Sequence, residues 1–421
     1  MNKHVIDSAK KCLQCKIPSC SAGCPVNTPI KDVIALLLES KLVEAGKLLF
    51  ENNPLSLICS HVCPQENQCE KHCILDKRGT PVLISAIEQY ISDYYLNIYK
   101  PKRLLKNREK IAIIGSGPAG ITIAFLLAKK KYDVTIFERN DQIGGILRYG
   151  IPEFRLPKRI INQLTDVLIE SGVKIRPNTS IGTNLTIEEL FRDEFRAIFM
   201  GTGVWQPYKL NIKGESLGHV HFAIEYLKNP DVYRLGKALI VIGAGNAAMD
   251  VARTALRQGC EKVMVVCNMD ETAITAQEQE LQYAKMDGVR LELNKTAVKI
   301  VDEGVIFADS EVYIDENGYK QTRAIPGTQK LYTANSIIIA IGQGPRSVSV
   351  SATTGINVGK KGLITVDEFG YTSREGIFAG GDVVTGAKTV VEAVVVSRKV
   401  AEAIDKYITD KYSSKETTTK N

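Results

Sequence analysis

Residues 110–139, KIAIIGSGPAGITIAFLLAKKKYDVTIFER, are the most informative segment for the fold. An apolar run typical of a buried strand leads into a glycine turn, and an apolar helical segment and a second apolar run follow. Gly115, Gly117 and Gly120 form the pattern G-x-G-x-x-G between strand and helix. These glycines permit a tight turn, close approach of the backbone to a pyrophosphate and close packing of helix on strand. The segment therefore predicts a dinucleotide-binding βαβ unit.

Two further features of this segment favour the same interpretation. The predicted helix begins near Pro118 and Ala119, and its N-terminus offers free N–H groups to phosphates. Glu138 ends the second strand, twenty-three residues after Gly115, where a carboxylate can accept the ribose hydroxyl groups.

The same unit recurs in residues 237–267, KALIVIGAGNAAMDVARTALRQGCEKVMVVC. Its turn reads GAGNAA over residues 243–248, where alanine replaces the last glycine, a permitted variant. Two such units predict two separate nucleotide sites. The residues predicted to hold the second nucleotide's phosphates are Gly243, Gly245, Asn246 and Ala247.

The end of the second unit indicates which nicotinamide cofactor binds there. A 2′-phosphate calls for arginine, whose planar fork pairs with phosphate oxygens. This chain has Asn268 and Met269 at that point and no basic residue between Lys262 and Lys285. We therefore predict NADH rather than NADPH. The alternative is an arginine contributed from elsewhere in the fold.

Residues 376–404 read as a strand, a glycine turn and a long helix, and residues 333–345 contain another buried strand. Asp382 follows Gly381 in the turn, where its carboxylate can hold the ribityl hydroxyl groups of a flavin. A helix that opens near Thr389 and Val390 would point its positive end at the flavin pyrimidine edge. The alternative is an ordinary helix cap at Asp382.

Cysteine placement sets the first part of the chain apart, since eight of the ten cysteines lie in the first 73 residues. The run CLQCKIPSCSAGCP, residues 12–25, has the pattern C-x2-C-x4-C-x3-C-P, which suits [4Fe–4S] clusters. Zinc and disulfides are alternatives. Zinc, however, would not explain two nucleotide sites in one chain, whereas a redox relay would. Four more cysteines follow: Cys59, Cys63, Cys69 and Cys73.

Helical apolar spacing surrounds these cysteines in residues 30–50 and 80–99, the second helix with Thr80 and Pro81 as its predicted cap. A basic connector, residues 100–110, follows. The N-terminal region is thus predicted to be a helical module.

Composition excludes several classes of protein. The 421 residues carry a net charge of +7, without an aromatic-interleaved basic motif, so we predict no nucleic-acid partner. No apolar run reaches the ~18 residues of a membrane span, and the start does not resemble a signal peptide. We expect a cytoplasmic protein of two or three domains that makes no membrane contact. A mild positive excess suits an acidic protein partner.

With these motifs in place, the chain resembles a known family. It includes the small subunit of bacterial glutamate synthase, the N-terminal half of dihydropyrimidine dehydrogenase and the large subunit of NADH-dependent ferredoxin:NADP oxidoreductase. The resemblance implies an α/β fold in which an all-α iron–sulfur domain precedes two Rossmann-like domains, for FAD and NAD, the second inserted in the first. The segments that carry it are 12–25, 53–64, 115–120, 144–158, 243–250 and 379–394.

The implied boundaries place two [4Fe–4S] clusters in a helical domain at 1–108. The FAD domain comprises 109–235 and 336–412, the NAD(P) domain 236–335, and a flexible tail 413–421. The residues implied to bind FAD are Gly115, Gly117, Pro118, Ala119, Gly120, Glu138, Gly145, Leu147, Arg148, Gly381, Asp382, Thr389 and Val390. Those implied to bind NAD are Gly243, Gly245, Asn246, Ala247, Asn268 and Met269.

The resemblance also implies two sets of cluster ligands. Cys12, Cys15, Cys20 and Cys73 resemble the ligands of cluster one. Cys24, Cys63 and Cys69 resemble three ligands of cluster two. Glu88 stands where the family can use a carboxylate or an amide as the fourth ligand. By spacing alone, Cys59 is the alternative.

These assignments predict an electron-input subunit. A nicotinamide gives up two electrons as hydride and a cluster accepts one, so a flavin must stand between them. The acceptor is predicted to be a larger catalytic subunit or an electron-carrier protein in a hetero-oligomer. NAD-dependent dihydropyrimidine dehydrogenase is the closer resemblance, and NADPH-dependent glutamate synthase or a ferredoxin oxidoreductase the alternative. Two competing hypotheses are a thioredoxin-reductase-like enzyme using Cys260 and Cys267, and a scaffold whose cofactors are structural.

Overall fold

The computed structural model describes residues 3–101, 106, 108–316, 320–346 and 354–412. The chain divides into two compact units. The first unit comprises Met1–Arg148, Glu153–Val204 and Pro345–Asn421, and the second comprises Tyr149–Pro152 and Trp205–Gly344. The predicted tail, 413–421, lies outside the described residues.

The N-terminal part of the first unit is helical, as predicted. Its helices are α1 (Lys3–Lys10), α2 (Ser19–Ala22), α3 (Ile30–Leu38), α4 (Leu42–Asn52), α5 (Ser56–Val62) and α6 (Ile84–Ile98). Their apolar faces form one core in which Ile34, Leu37 and Leu49 are almost fully buried. The cysteine-bearing segments between the helices pack against this core.

Two details differ from the sequence-based expectation. The single helix predicted for residues 30–50 is two helices, because the chain turns at Ser40, whose φ is +61°. The helix predicted to begin at Thr80 and Pro81 begins instead at Ile84. Leu83, which precedes the helix, has φ −76° and ψ 76°, and its backbone N–H donates to the Ser8 hydroxyl at 2.9 Å rather than to a helical carbonyl.

The rest of the first unit is a five-stranded parallel sheet with the order β16-β4-β1-β2-β3. The inner strands are mostly apolar and are buried beyond their first residues, as expected for strands covered on both faces. The strands are β1 (Lys110–Ile114), β2 (Asp133–Phe137), β3 (Lys174–Arg176), β4 (Phe195–Met200) and β16 (Ile377–Ala379). The helices are α7 (Pro118–Lys129), α8 (Ile146–Tyr149), α9 (Lys158–Glu170), α10 (Ile187–Arg192), α14 (Asp382–Thr385) and α15 (Val390–Tyr412).

The second unit is built on another five-stranded parallel sheet, with the order β6-β14-β7-β8-β9. These strands are β6 (Val220–Phe222), β7 (Ala238–Ile242), β8 (Lys262–Val266), β9 (Arg290–Glu292) and β14 (Ser336–Ile339). The helices are α11 (Ala223–Lys228), α12 (Asn246–Arg257) and α13 (Glu278–Met286). Antiparallel pairing joins β10 (Lys295–Val301), β11 (Gly304–Ile314), β12 (Lys320–Ala324) and β13 (Lys330–Thr333), and separately β5 (Gln206–Pro207) and β15 (Gln343–Gly344).

Strand pairing sets the limits of the second unit wider than the predicted 236–335. Strand β14 pairs with both β6 and β7, so residues 205–235 and 336–344 belong to the second unit rather than to the predicted FAD domain. The short strand β6 lacks a strong periodic signal, which is why its partner was not foreseen. Among the described residues, no helix is long and apolar enough to cross a membrane.

Candidate functional site

The first glycine loop joins β1 to α7 and leaves no room for a side chain at two of its three glycines. Gly115 has a φ of +94°, and a Cβ there would lie 2.6 Å from the Gly201 carbonyl oxygen. A Cβ at Gly120 would lie 2.0 Å from the Gly115 carbonyl oxygen. At Gly117 a Cβ would meet nothing within 4 Å. Only this middle position is open, as close approach of a diphosphate to the backbone requires.

Glu138 lies at the end of β2 and is only 4% exposed. One carboxylate oxygen accepts hydrogen bonds from the Ser116 N–H at 3.1 Å and the Ser116 hydroxyl at 2.5 Å. The other accepts from the Asn140 N–H and side-chain amide, both at 2.8 Å. The acid thus lies against the glycine loop, as predicted for a residue that contacts a ribose. Ser116 was not singled out from the sequence; its place between two loop glycines is the signal that identifies it.

Two other predicted segments meet this loop. A Cβ at Gly145 would lie 2.7 Å from the Gly117 Cα atom. Gly381 has a φ of +76°, and a Cβ there would lie 3.0 Å from the Ala119 Cβ. The structure therefore brings the segments at 145 and 381 together at the start of α7.

Leu147 and Arg148, also predicted to contact FAD, lie in α8. Leu147 is fully buried. The Arg148 guanidinium donates to the Ile143 carbonyl at 2.7 Å and to the Asn162 side-chain oxygen at 2.6 Å. In this structure Arg148 thus connects the loop at Ile143 to α9 by hydrogen bonds.

Asp382 is the first residue of α14, and Thr389 directly precedes α15. Burial raises the pKa of Asp382 to about 6, and its carboxylate accepts from the Lys388 N–H at 3.2 Å. Gly381, not Asp382, occupies the N-cap of α14, so the capping alternative is not what the structure shows. Thr389 and Glu392 form reciprocal hydrogen bonds at the start of α15, which begins at Val390 as predicted.

The second glycine loop joins β7 to α12. Gly243 has a φ of +122°, and a Cβ there would lie 2.3 Å from the Ala340 carbonyl oxygen. At Gly245 the nearest atom to an added Cβ is the Thr275 hydroxyl, at 3.4 Å. Asn246 opens α12, and its side-chain oxygen accepts from the Gln277 N–H at 2.8 Å. In both loops, therefore, the first glycine has a positive φ and no room for a side chain, and the second is uncrowded.

The segment after β8 is held by neutral contacts. The Asn268 side-chain amide donates to the Thr322 hydroxyl at 2.6 Å. The Met269 carbonyl accepts from the Asn294 N–H at 3.2 Å. The next basic residue along the chain, Lys285, forms an ion pair with Glu271 at 3.1 Å.

Four predicted ligands of cluster one line a single pocket: Cys12, Cys15, Cys20 and Cys73. Ile30, Ile34 and Val82 contribute apolar walls. Burial raises the pKa of Cys20, and the neighbouring Cys73 and Cys12 raise it further. Four thiols around one apolar pocket fit a cluster held by four thiolates.

The predicted residues of cluster two lie close enough to affect one another's ionisation. A hydrogen bond with Cys59, burial, and the charges of Cys59, Glu88 and Cys69 together raise the pKa of Cys63 far above its usual value. Burial and then Glu88 raise that of Cys69. Burial alone raises the pKa of Glu88 to about 8. Glu88 and Cys59 both lie with this group, so both remain candidates for the fourth ligand.

The Cys260–Cys267 pair that a thioredoxin-reductase-like enzyme would use does not fit the geometry of a disulfide. All ten cysteines are free. Cys260 and Cys267 lie beyond opposite ends of β8, seven residues apart along an extended chain, which is farther than a disulfide spans. Their thiols donate instead to the Gly236 and Met269 carbonyls.

Fold and site together define an NAD(P)H-dependent flavin oxidoreductase with an iron–sulfur N-terminal domain. The chain belongs to the pyridine nucleotide-disulphide oxidoreductase family, which it matches over residues 109–399. Residues 1–99 match the family described as dihydropyrimidine dehydrogenase domain II, 4Fe-4S cluster. These findings confirm the predicted fold class and family.

Two relatives in these families match along nearly the whole chain. The NADPH glutamate synthase small chain of Halomonas elongata is 33% identical over 425 residues, covering 95% of this chain and 90% of that protein. The NAD-dependent dihydropyrimidine dehydrogenase subunit PreT of Salmonella typhimurium is 32% identical over 413 residues, covering 96% and 94%. The chain is therefore an electron-transfer subunit of the iron–sulfur flavoprotein type.

Solved structures agree on the fold. FprA of Mycobacterium tuberculosis has a TM-score of 0.63 at 17% identity, over 74% of this chain and 87% of that one. T. acidophilum thioredoxin reductase has a TM-score of 0.54 at 20% identity, over 71% and 99%.

Proposed function

We propose that this chain oxidises NADH at the second unit's loop, holds FAD at the first unit's loop and passes single electrons through two [4Fe–4S] clusters. The receiver is a catalytic subunit of the dihydropyrimidine dehydrogenase type. The observation that carries the proposal is that one compact unit contains both the flavin-type loop with its buried acid, Glu138, and the pocket lined by four thiols.

The chain's own side chains bind and orient rather than react. A bound flavin would accept hydride and release single electrons. Gly117 leaves room for its diphosphate, Glu138 accepts its ribose hydroxyl groups, and Asp382 lies at the turn proposed for its ribityl chain. The N-terminus of α15 at Val390 supplies a positive dipole end for the pyrimidine edge.

NADH is proposed as the donor because Asn268 and Met269 present no positive charge to a 2′-phosphate. Lys285, the next cation in sequence, is already paired with Glu271. The test is steady-state reduction of ferricyanide by the anaerobically purified holoprotein. We expect kcat/KM for NADH to exceed that for NADPH at least tenfold, and the reverse preference would contradict the assignment.

The exit surface is proposed to be the rim of the cluster-one pocket. Leu13 and Ile17 lie in the ligand loop and are 59% and 81% exposed, and Ile74 beside Cys73 is 48% exposed. Exposed cations stand within four residues of these apolar side chains along the chain: Lys10, Lys11, Lys16, Lys77 and Arg78. Apolar side chains accompanied by exposed cations fit a partner protein that presents acidic residues around its own redox centre.

Charge reversal tests this surface once the partner has been identified by anaerobic co-purification. We expect Lys10→Glu with Lys16→Glu to slow reduction of the partner about tenfold at low salt, and ferricyanide reduction to stay unchanged. Lys360→Glu with Lys361→Glu, two exposed lysines outside this rim, is the matched control. Equal effects of both double variants would contradict the proposed surface.

A glutamate synthase partner is the second candidate, favoured by the 33% identity to the Halomonas elongata small chain. The co-purified subunit separates the two candidates directly. A pyrimidine-reducing partner supports the first, and a glutamine-dependent synthase partner supports the second.

A further inference from the structure

Helix α15 connects the proposed flavin site to the cluster region within the first unit. It begins at Val390, and the Ser397 hydroxyl donates to the Ala119 carbonyl of α7 at 3.2 Å. Arg398, the next residue, points to the helical N-terminal region instead. Its guanidinium donates to the Val26 carbonyl at 3.4 Å.

A continuous series of hydrogen bonds runs from Arg398 to a predicted cluster ligand. The guanidinium donates to the side-chain oxygen of Asn52 at 3.1 Å. The Asn52 amide donates to the Thr28 hydroxyl at 3.3 Å. The Thr28 oxygen lies 3.2 Å from the sulfur of Cys24.

The donors in this series all point toward the sulfur. Thr28 is 5% exposed and accepts from Asn52, so its own hydrogen is available to Cys24. A ligating thiolate has no proton to give, so the hydroxyl must be the donor in that pair. Hydrogen bonds in such a series polarise one another, and here the first donor is a cation, the Arg398 guanidinium. Burial lowers the pKa of Arg398, and the neighbouring Cys24 and Glu402 raise it.

We propose that Arg398, Asn52 and Thr28 form a positioning chain that raises the reduction potential of cluster two through the sulfur of Cys24. Reduction adds one negative charge to a cluster, and a hydrogen bond to a ligand sulfur stabilises that charge. Because Arg398 stands on the helix that begins at the proposed flavin site, the series also fastens the cluster region to the flavin-binding fold. The inference rests on the proposed function, in which Cys24 is a ligand of cluster two.

The test is an EPR-monitored redox titration of the anaerobic holoprotein. The signal of cluster two is identified as the one that Cys24→Ser alters and Cys15→Ser does not. Thr28→Val keeps the side-chain shape without the donor. We expect Thr28→Val to lower the equilibrium constant for one-electron reduction of cluster two at least tenfold. This corresponds to a reduction potential about 59 mV lower. Thr28→Ser should retain the parent potential.

Arg398 gives an independent variant in case Thr28→Val lowers cluster content. Arg398→Gln should lower the potential of the same signal, and Arg398→Lys should restore part of it. Thr165→Val is the matched control, because its hydroxyl donates to the Ile161 carbonyl within α9. Unchanged potentials in both Thr28→Val and Arg398→Gln, with normal iron content, would overturn the inference. Absence of a Cys24-dependent signal in the parent protein would instead overturn the proposed function.

Discussion

The two glycine loops share one backbone design but differ at the end of the following strand. In the first unit the strand is followed by Glu138, 4% exposed and bonded to Ser116. At the matching point of the second unit stands Cys267, which donates to the carbonyl of Met269. The loop glycines differ too, since Ala248 occupies the place that Gly120 has in the first loop.

This difference matches two kinds of occupancy. A buried carboxylate held against the loop suits a dinucleotide that stays bound, because its ribose contacts are already in position. A neutral residue at this point suits a nucleotide that binds and leaves in each turnover. We therefore propose that the shared βαβ geometry provides the phosphate site in both units, and that the residue after the second strand contributes to the difference in what each site holds.

The largest expected effect is at the third glycine position of the loops. Gly120→Ala would place a methyl group 2.0 Å from the Gly115 carbonyl oxygen, so α7 must move away from β1. We expect a loss of about 3 kcal/mol in the free energy of unfolding and less than a tenth of the parent flavin content. The measurements are chemical denaturation and flavin absorbance.

Ala248→Gly in the second loop is the matched control, since a helical Ala-to-Gly change costs about 1 kcal/mol. It should leave the flavin content unchanged. Normal flavin binding by Gly120→Ala would contradict the claim that the first loop, unlike the second, has no room for alanine at its third glycine position.

The next effect concerns the buried acid. Glu138→Gln removes the charge that accepts four hydrogen bonds, so we expect flavin to dissociate about 30-fold more readily, equal to about 2 kcal/mol. Release is measured by flavin fluorescence after dilution. Cys267→Ser, at the matching position, should retain the parent flavin affinity. Equal flavin loss in both variants would show that the acid has no special role.

A smaller effect is expected from adding positive charge after β8. Asn268→Arg with Met269→Arg supplies two forks for a 2′-phosphate, so the ratio of kcat/KM for NADPH to that for NADH should rise about tenfold. Asn211→Arg, elsewhere in the second unit, serves as the control. An unchanged ratio would mean that the nucleotide's 2′ position lies away from this segment.

The smallest effect is expected at the residue between the first and second glycines of each loop. Ser116→Ala removes one hydroxyl donor to Glu138, about 1 kcal/mol, and should weaken flavin binding about fivefold. Ala244→Ser adds a hydroxyl where no carboxylate follows the strand, so the KM for NADH should change less than twofold. A larger effect of Ala244→Ser on the KM for NADH would contradict the proposed difference between the two loops.

The sequence was sufficient for the parts of this account that depend on local pattern. The apolar run before Gly115, the glycine spacing and the acid at 138 are consecutive signals, so both βαβ units and their loops were predictable. The start of α15 at Val390 was predictable for the same reason. The family was identified from these motifs and the cysteine run.

The parts that depend on distant residues were not predictable. Strand β6 joins the second sheet through its pairing with β14, more than a hundred residues later. Thr28, Asn52 and Arg398 carry no individual signal, since their meaning arises when α15 packs beside the cysteine loop. The start of α6 at Ile84 likewise depends on Ser8.

The central claim is an electron relay from a nicotinamide through flavin to two clusters in one chain. The most direct test is an anaerobic NADH titration of the holoprotein followed by EPR and visible absorbance. The account predicts that the flavin absorbance bleaches and that two distinct [4Fe–4S] signals appear, one dependent on Cys15 and one on Cys24. Bleaching without any cluster signal, or no bleaching by either NADH or NADPH, would contradict it.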